Sequence, residues 1–219
     1  MTIRSTEGDR GSVPAADKPG VAAFDFDGTL ARKDTFMPFL MTACGRSRLA
    51  LAAAACVGRT RSRDRDELKV ALVGRLFRGW PRSRLDELGR AYAAKLPALL
   101  RPELVDQVTW HRDQGHAVVI VSASLAVYLR PLATELGIDD VLAVEMVADE
   151  SGQLTGAVVG GANTRGPLKA QRLRAWLDAR YGVGTPVELW AYGDSAGDEE
   201  LLAAADHPTW IGKRATTPA

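Results

Sequence analysis

Two aspartates, Asp25 and Asp27, stand two positions apart directly after the apolar run Val21-Ala-Ala-Phe24. The pattern predicts a short buried strand that ends in carboxylates. Gly28 permits a tight turn and lets a phosphate group approach the backbone, and Thr29 offers an N–H and a hydroxyl. Carboxylates are the hard oxygen ligands that Mg²⁺ prefers. The segment therefore predicts a magnesium-assisted phosphate site.

Polar side chains follow two more predicted strands. Ser122 comes after His116-Ala-Val-Val-Ile-Val121, and Asp194 and Asp198 come after the apolar segment Val187–Tyr192. In open α/β sheets, ligands bind beyond the carboxyl ends of the strands. Three strand ends are thus expected to contribute to one site.

Each of these residues also has a purely structural explanation. The Asp25/Asp27 pair fits an Asx-turn that caps the following segment. Ser122 and Ser124 fit as N-caps of the next helix, and a phosphate at that helix N-terminus is compatible with the same arrangement. Lys169, taken alone, is an ordinary solvated helix lysine.

The elements that must position these groups follow from periodicity and breakers. Strands alternate with helices, which predicts an α/β fold with a doubly wound, parallel sheet. Residues 1–19 are expected to form a flexible tail, and residues 20–35 and 104–219 a Rossmann-like core. Residues 36–103 lack strand alternation and are expected to form an inserted α-helical cap of three or four helices.

Within the core, the pattern predicts further elements in order. The predicted helices are 103–114, 125–136, 167–181 and 198–205; the predicted strands are 141–145 and 210–211; a hairpin is predicted over 146–159.

Composition limits the class of function. The formal net charge of +1 argues against a general nucleic-acid binder. The N-terminal residues lack the apolar core of a signal peptide, and the apolar stretch Leu49–Val57 is too short for a bilayer. Cys44 and Cys56 do not form a CxxC pair, and with no secretion signal they indicate a reducing, cytoplasmic location.

The predicted cap is basic. Residues 36–103 contain 14 Lys/Arg and 6 Asp/Glu, an excess of +8, and the rest of the chain carries −7. Such a lid would steer anionic substrates to an acidic core. Four alternating arginines favour a loop, with a solvated linker as the simpler explanation: Arg59, Arg61, Arg63 and Arg65. Four apolar residues are interpreted as a small core of the cap itself rather than a lipid slot: Phe36, Met37, Phe39 and Leu40.

Asp25-Phe-Asp-Gly-Thr-Leu30 resembles the first motif of the haloacid dehalogenase superfamily of aspartyl phosphatases. The later pieces resemble its other motifs in order, namely Ser122, Lys169 and Gly193-Asp-Ser-Ala-Gly-Asp198. The helical insertion directly after the first motif is similar to the phosphoserine-phosphatase-like branch.

The resemblance implies roles for these residues. Asp25 is the expected nucleophile and Asp27 the acid that protonates the leaving alcohol and later the base that activates water. Ser122 and Lys169 are expected to hold phosphate oxygens. The expected Mg²⁺ ligands are Asp25, Asp27, Asp194 and Asp198. The expected substrate-binding residues are Gly28, Thr29, Asp34, Ala123 and Arg165.

Departures from the motifs leave the substrate open. Arg165-Gly166 stands where phosphoserine phosphatases commonly carry Lys-Gly, so we favour Lys169 with Arg165 as the alternative. Ser-Ala-Ser replaces the usual Ser-Gly-Gly, and Asp34 replaces a glutamate that meets the substrate amine. The leading hypothesis is a hydrolase of a small phosphomonoester. A lipid phosphate resembling phosphatidylglycerophosphate, phosphoryl transfer to another acceptor, and a binding protein without turnover are the alternatives.

Overall fold

The computed structural model describes residues 18–57 and 65–212. It contains seven strands: β1 Gly20–Phe24, β2 Ala117–Leu125, β3 Asp140–Val144, β4 Met146–Ala148, β5 Leu154–Val158, β6 Glu188–Gly193 and β7 His207–Trp210. Its α-helices are α1 Phe36–Cys44, α2 Arg46–Val57, α3 Arg65–Phe77, α4 Arg82–Ala93, α5 Pro102–Asp113, α6 Ala126–Leu136, α7 Pro167–Tyr181 and α8 Glu199–Ala203. Short 3₁₀ turns lie at Leu96–Leu99, Val159–Gly161 and Ala196–Asp198.

Five parallel strands form the main sheet in the order β3-β2-β1-β6-β7. The first strand is central, and the chain builds outward on one side through β2 and β3 before crossing to β6 and β7. The sheet therefore winds in two directions from β1, and its carboxyl edge is the expected place for a ligand. The predicted doubly wound parallel fold is confirmed.

The central strand is buried on both faces because its apolar run supplies side chains to both sides. Ala22 and Phe24 belong to one apolar cluster, whereas Val21 and Ala23 belong to another that includes residues of α7 and α8. This alternation is the period of two expected for a strand, and a continuous apolar run is typical of a parallel strand covered by helices on both sides.

The segment between β1 and β2 is helical, as predicted, but its apolar residues do not form a core of their own. Phe39 lies in contact with the rings of Phe77 and Tyr92 from the same segment, and also with Tyr128 of α6. Phe36, Phe39 and Leu40 belong to the same apolar cluster as Phe24 in the sheet. The prediction of a separate small core was wrong, because the helical segment and the sheet layer share one buried interior.

Met37 differs from its neighbours, since 41% of its surface is exposed. It lines a cavity at the carboxyl edge of the sheet, so it too lies outside any separate core.

Most predicted element boundaries agree with the structure within a few residues. The helix predicted from Pro167 to Tyr181 has those bounds, and the hairpin consists of β4 and β5 paired in antiparallel fashion. The strand predicted to end before Ser122 instead continues to Leu125 with an irregular register after Val121. This irregular stretch displays Ser122, Ala123 and Ser124 at the edge of the sheet.

Some predictions fall outside the described residues. These are the tail up to residue 17 and the alternating Arg59, Arg61 and Arg63. In the part of the chain that the structure describes, every helix is too short or too polar to cross a membrane.

Candidate active site

A cavity of about 480 Å³ opens at the carboxyl edge of the sheet. Its lining contains residues from the strand ends and from the helical insertion. The lining from the strand ends and the α7–α8 region includes Asp25, Asp27, Ser122, Ala123, Arg165, Lys169 and Asp198. The lining from the insertion and its approach includes Asp34, Phe36, Met37, Asp66, Leu68, Lys69 and Leu72.

Lys169 lies at the centre of the polar groups. Its Nζ donates to Oδ1 of Asp25 and to Oδ1 of Asp198, each at 2.5 Å. All three side chains are at least 93% buried. Lys169, which the sequence analysis favours over Arg165, lies in the first turn of α7 and faces the strand ends.

Arg165 occupies a different place. It is 44% exposed at the mouth of the cavity, with Nη1 3.9 Å from Oδ2 of Asp66 on α3. It therefore reaches toward the helical insertion and does not contact Asp25.

Three acids form a tight cluster beside the lysine. Asp25, Asp194 and Asp198 each offer a carboxylate oxygen, and these oxygens lie within 4.8 Å of one another. Asp27 was predicted as a fourth ligand, but its carboxylate is held elsewhere, by Thr35 and Ser124. Among the described residues, the acids brought together for a cation are therefore the other three.

The backbone around Gly28 and Thr29 explains how Asp194 is placed. Gly28 has a φ of +89°, and a Cβ there would collide with the carboxylate of Asp194. The Thr29 hydroxyl is buried and donates to Oδ1 of Asp194 at 3.4 Å. Neither residue is part of the cavity lining in the described structure; their observed contacts position Asp194, and substrate binding by them stays a prediction.

Burial shifts the pKa values of the ionisable groups in this site. It raises the pKa of Asp25 to about 7, against the opposing attraction of Lys169 and with added repulsion from Asp198 and Asp27. Burial likewise raises the pKa of Asp194. For Lys169, burial opposes the charged form, but the two neighbouring carboxylates prevail and raise its pKa. Three acids facing one ammonium leave an excess of negative charge that a cation would stabilise.

Ser122 and Ser124 do not cap the following helix. The residue at the N-cap of α6 is Leu125, without a side-chain capping bond. Ser122 instead accepts from the backbone N of Ser124 at 3.1 Å and lines the cavity, while the hydroxyl of Ser124 donates to Oδ2 of Asp27. The capping alternative for these serines was wrong.

Asp34 and Ala123 lie where the insertion meets the core. Asp34 lines the cavity, and its Oδ2 accepts from the backbone N of Met37 at 3.1 Å, which fixes the start of α1. The carbonyl of Ala123 accepts from Nζ of Lys69 on α3 at 2.7 Å.

Lys69 was not singled out in the sequence. Its Nζ lies 3.9 Å from the ring centre of Phe36, and burial lowers its pKa despite nearby acids, chiefly Asp27 and Asp34. A single lysine in a basic helix gives no local sign of such a position, since the cavity wall is formed by distant segments.

Ser195 was also missed, although a signal exists. Its hydroxyl donates to Oδ2 of Asp198 at 2.8 Å, and its backbone N donates to the same oxygen at 3.1 Å. This is a capping box, which the spacing Ser-Ala-Gly-Asp predicts. The box fixes Oδ2 of Asp198, so that Oδ1 faces Lys169.

Together the fold and the site define a Rossmann-like α/β protein with an acidic centre at the switch point of its parallel sheet. The chain belongs to the haloacid dehalogenase-like hydrolase family, whose model matches residues 22–203. The predicted superfamily is confirmed.

Two relatives and two solved structures illustrate the similarity. The protein CicA of Caulobacter vibrioides is 36% identical over 197 residues, which cover 86% of this chain and 84% of that protein. A probable phosphatase of Mycobacterium tuberculosis is 34% identical over 114 residues, 52% of this chain and 38% of that protein.

The structural neighbours share the fold. A Bordetella pertussis protein of unknown function has a TM-score of 0.67 at 21% identity, covering 85% of this chain and 87% of that one. A probable phosphoserine phosphatase of Vibrio cholerae has a TM-score of 0.57 at 24% identity, covering 86% of this chain and 54% of that one. The chain therefore has the fold of these two solved structures, one of which is a probable phosphoserine phosphatase.

Proposed function

We propose that the protein is a Mg²⁺-dependent phosphomonoester hydrolase that forms a phospho-aspartyl intermediate on Asp25. The observation that carries this proposal is the contact between Lys169 and Asp25 in the wall of the cavity. An ammonium at 2.5 Å favours the ionised form of this carboxylate against the effect of burial and offsets its repulsion toward an incoming phosphate. A nucleophilic carboxylate needs both effects.

In the first step, a carboxylate oxygen of Asp25 attacks phosphorus. The bond from phosphorus to the ester oxygen breaks, its electron pair goes to the leaving oxygen, and Asp27 delivers a proton there. Burial raises the pKa of Asp27, which favours a carboxyl group able to hold that proton. Ser122 and Lys169 hold the phosphoryl oxygens.

In the second step, Asp27 accepts a proton from a water molecule as the water oxygen attacks phosphorus. The bond between phosphorus and Asp25 breaks, and its electron pair returns to the carboxylate. Inorganic phosphate and free Asp25 are the products, so atoms and charges balance over the two steps.

The donor set of Asp25, Asp194 and Asp198 fits Mg²⁺. All three offer carboxylate oxygens, which match this hard cation, and their unbalanced charge favours a divalent ion. When bound there, Mg²⁺ would offset negative charge on the phosphoryl group. Ser195 and Thr29 hold Asp198 and Asp194 in place.

The cavity favours a small anionic substrate. Its volume of about 480 Å³ falls in the ordinary range for small ligands. On the side of the insertion, Lys69 places a cation in the cavity wall and Asp34 places an acid there. A leaving group that carries both a negative and a positive charge could therefore pair with these two residues. Leu68 and Leu72 provide the apolar part of this wall.

One observation favours a lipid phosphate as the second candidate. Met37, Met41 and Leu51 of α1 and α2 are exposed by 41%, 38% and 73%, and Met37 lines the cavity. An exposed apolar residue in the wall of a phosphate site, on a helix with further exposed apolar residues, fits a lipid whose chains remain outside the cavity.

We also propose that the enzyme works in the cytoplasm. Cys44 is a free thiol, which is compatible with a reducing compartment.

The decisive experiment measures hydrolysis of 4-nitrophenyl phosphate with Mg²⁺ and after chelation, followed by rapid acid quench of the Asp27→Asn variant. We expect the peptide that carries Asp25 to gain the mass of one phosphoryl group. Turnover without any phosphorylated peptide, or modification of another residue, would contradict the proposed intermediate.

A further inference from the structure

The carboxylate of Asp27 is held by three hydrogen bonds. Oδ1 accepts from the backbone N of Thr35 at 2.7 Å and from the Thr35 hydroxyl at 2.6 Å. Oδ2 accepts from the hydroxyl of Ser124. Both oxygens are therefore fixed, and the plane of the carboxylate cannot rotate without breaking these bonds.

The count of these bonds singles out one oxygen. An ionised carboxylate has about four lone-pair positions, two on each oxygen. Thr35 uses both positions of Oδ1, and Ser124 uses one on Oδ2. Among the described contacts, the remaining position lies on Oδ2, which is thus the oxygen of Asp27 available to carry a proton to the substrate.

The groups that hold Asp27 are themselves buried and oriented. Thr35, Ser124 and Tyr128 have no exposed surface. The Tyr128 hydroxyl lies 3.2 Å from Oγ1 of Thr35. Because the single proton of the Thr35 hydroxyl is directed to Asp27, Tyr128 must be the donor in that contact.

Thr35 also joins this network to the helical insertion. It is the last residue before α1, and its carbonyl accepts from the Tyr92 hydroxyl of α4 at 2.9 Å. A displacement of α4 relative to the sheet therefore acts on the residue that fixes Oδ1 of Asp27.

We propose that Thr35 and Ser124 are positioning residues that aim Oδ2 of Asp27 at the leaving-group oxygen. Because the hydroxyl of Tyr92 on α4 donates to the carbonyl of Thr35, the orientation of Asp27 also depends on the position of the helical insertion relative to the sheet. The inference rests on the proposed role of Asp27 as the general acid. A mispositioned acid penalises a basic leaving group, which needs the proton, far more than a stable one, which departs without it.

The test compares kcat/KM for phenyl phosphate and 4-nitrophenyl phosphate, which differ little in shape but much in the basicity of the leaving group. We expect Thr35→Val and Ser124→Ala to lose at least tenfold more activity on phenyl phosphate than on 4-nitrophenyl phosphate. Tyr92→Phe should change the ratio in the same direction by a smaller factor. Thr35→Ser, which restores the hydroxyl, should return the ratio toward that of the wild type.

The matched control is Thr109→Val on α5, whose hydroxyl donates only to the carbonyl of Val105 at 3.1 Å on an exposed face. It should leave the ratio of the two substrates as in the wild type. If Thr109→Val changes the ratio of the two kcat/KM values as much as Thr35→Val does, the inference is overturned. The effect would then not depend on the contact with Asp27.

Asp27→Asn separates this inference from the proposed function. If Asp27→Asn lowers kcat/KM equally for both substrates, the acid role itself fails. If Asp27→Asn selectively impairs phenyl phosphate but Thr35→Val and Ser124→Ala impair both substrates equally, or neither, the acid role stands and the positioning inference is overturned. An unchanged ratio in Tyr92→Phe would overturn the link to the insertion.

Discussion

Nζ of Lys169 lies 2.5 Å from Oδ1 of Asp25, although the two residues are 144 positions apart in the chain. The first is in the opening turn of α7 and the second follows the central strand β1. Their meeting depends on the crossing of the chain from β3 to β6, which places α7 against the sheet next to the end of β1.

Lys169→Ala should cost far more activity than Arg165→Ala. Removal of the ammonium leaves Asp25 and Asp198 without their shared partner, and loss of one preorganised donor costs about 2.7–4 kcal/mol, or about 10²–10³ in kcat. Arg165→Ala should cost less than about tenfold, because Arg165 is half-exposed and its ion pair is with Asp66 of the insertion. The measurement is kcat with Mg²⁺ present, with circular dichroism as the check on folding. Equal losses would reverse this assignment.

Asp25→Asn should abolish turnover, since an amide is a poor nucleophile. Asp27→Asn should still phosphorylate Asp25 from a substrate with a good leaving group but release phosphate slowly, because the base for water is gone. Single-turnover kinetics with acid quench measures both steps. Near wild-type rates in Asp25→Asn would exclude this aspartate as the nucleophile.

Chelation should remove activity, and Mg²⁺ should restore it. Binding to the folded state alone also stabilises the fold by mass action, so Mg²⁺ should raise the thermal midpoint of the wild type. Asp194→Asn should shrink that rise, while Glu199→Gln, an exposed acid in the neighbouring helix α8, should not. A full Mg²⁺ response in Asp194→Asn would remove this residue from the ligand set.

His111 should make the protein less stable in acid. It is fully buried, and its Nε2 lies 2.9 Å from the Tyr192 hydroxyl and its Nδ1 2.9 Å from Nδ1 of His116. Burial, with the charge of His116, lowers its pKa to about 4. Between about pH 6.5 and pH 4 the unfolded chain therefore binds a proton that the folded chain refuses, so stability falls as the pH falls.

Across that pH window, His111 lowers the free energy of unfolding by up to about 3 kcal/mol. Urea unfolding at several pH values should show a flatter dependence for His111→Gln than for the wild type. Equal slopes for His111→Gln and the wild type would show that His111 does not titrate in this range.

Lys69→Met should lower kcat/KM for small anionic phosphomonoesters. The ammonium is replaced by an apolar side chain of similar length, and loss of a charged hydrogen bond costs about 1.5–3 kcal/mol, or about 10–150-fold in kcat/KM. The loss should be larger for an ester with a second anionic group than for phenyl phosphate. An identical loss on both would mean that Lys69 shapes the cavity without recognising charge.

Met37 and Met41 provide the test for a lipid substrate. Sedimentation with anionic vesicles should show weak binding by the wild type that salt removes, and Met37→Ser with Met41→Ser should leave it unchanged. Salt-resistant binding that these changes abolish, with a preference for a dispersed lipid phosphate, would favour the lipid candidate. Phe39 and Leu40 are unsuitable for this test because both are buried, and polar substitutions there would unfold the chain.

The sequence by itself determined the sheet and the strand-end acids. An apolar run such as Val21–Phe24 satisfies a strand covered on both faces, and the residues after it must then lie at the carboxyl edge. The start of α7 at Pro167 and its end before Gly182 are likewise local, since proline and glycine act through their own backbone angles.

Only the tertiary structure decided which groups meet. Periodicity shows that Phe39 has a buried face but not what covers it, so the expected separate core proved to be one interior shared with Tyr128. The hydroxyl of Ser124 reaches Asp27 across 97 positions, and Thr29 turned out to seat Asp194. Local spacing carries conformational preference, whereas such contacts depend on the packing of segments that are distant in the chain, because hydrogen bonds and burial act only at short range in space.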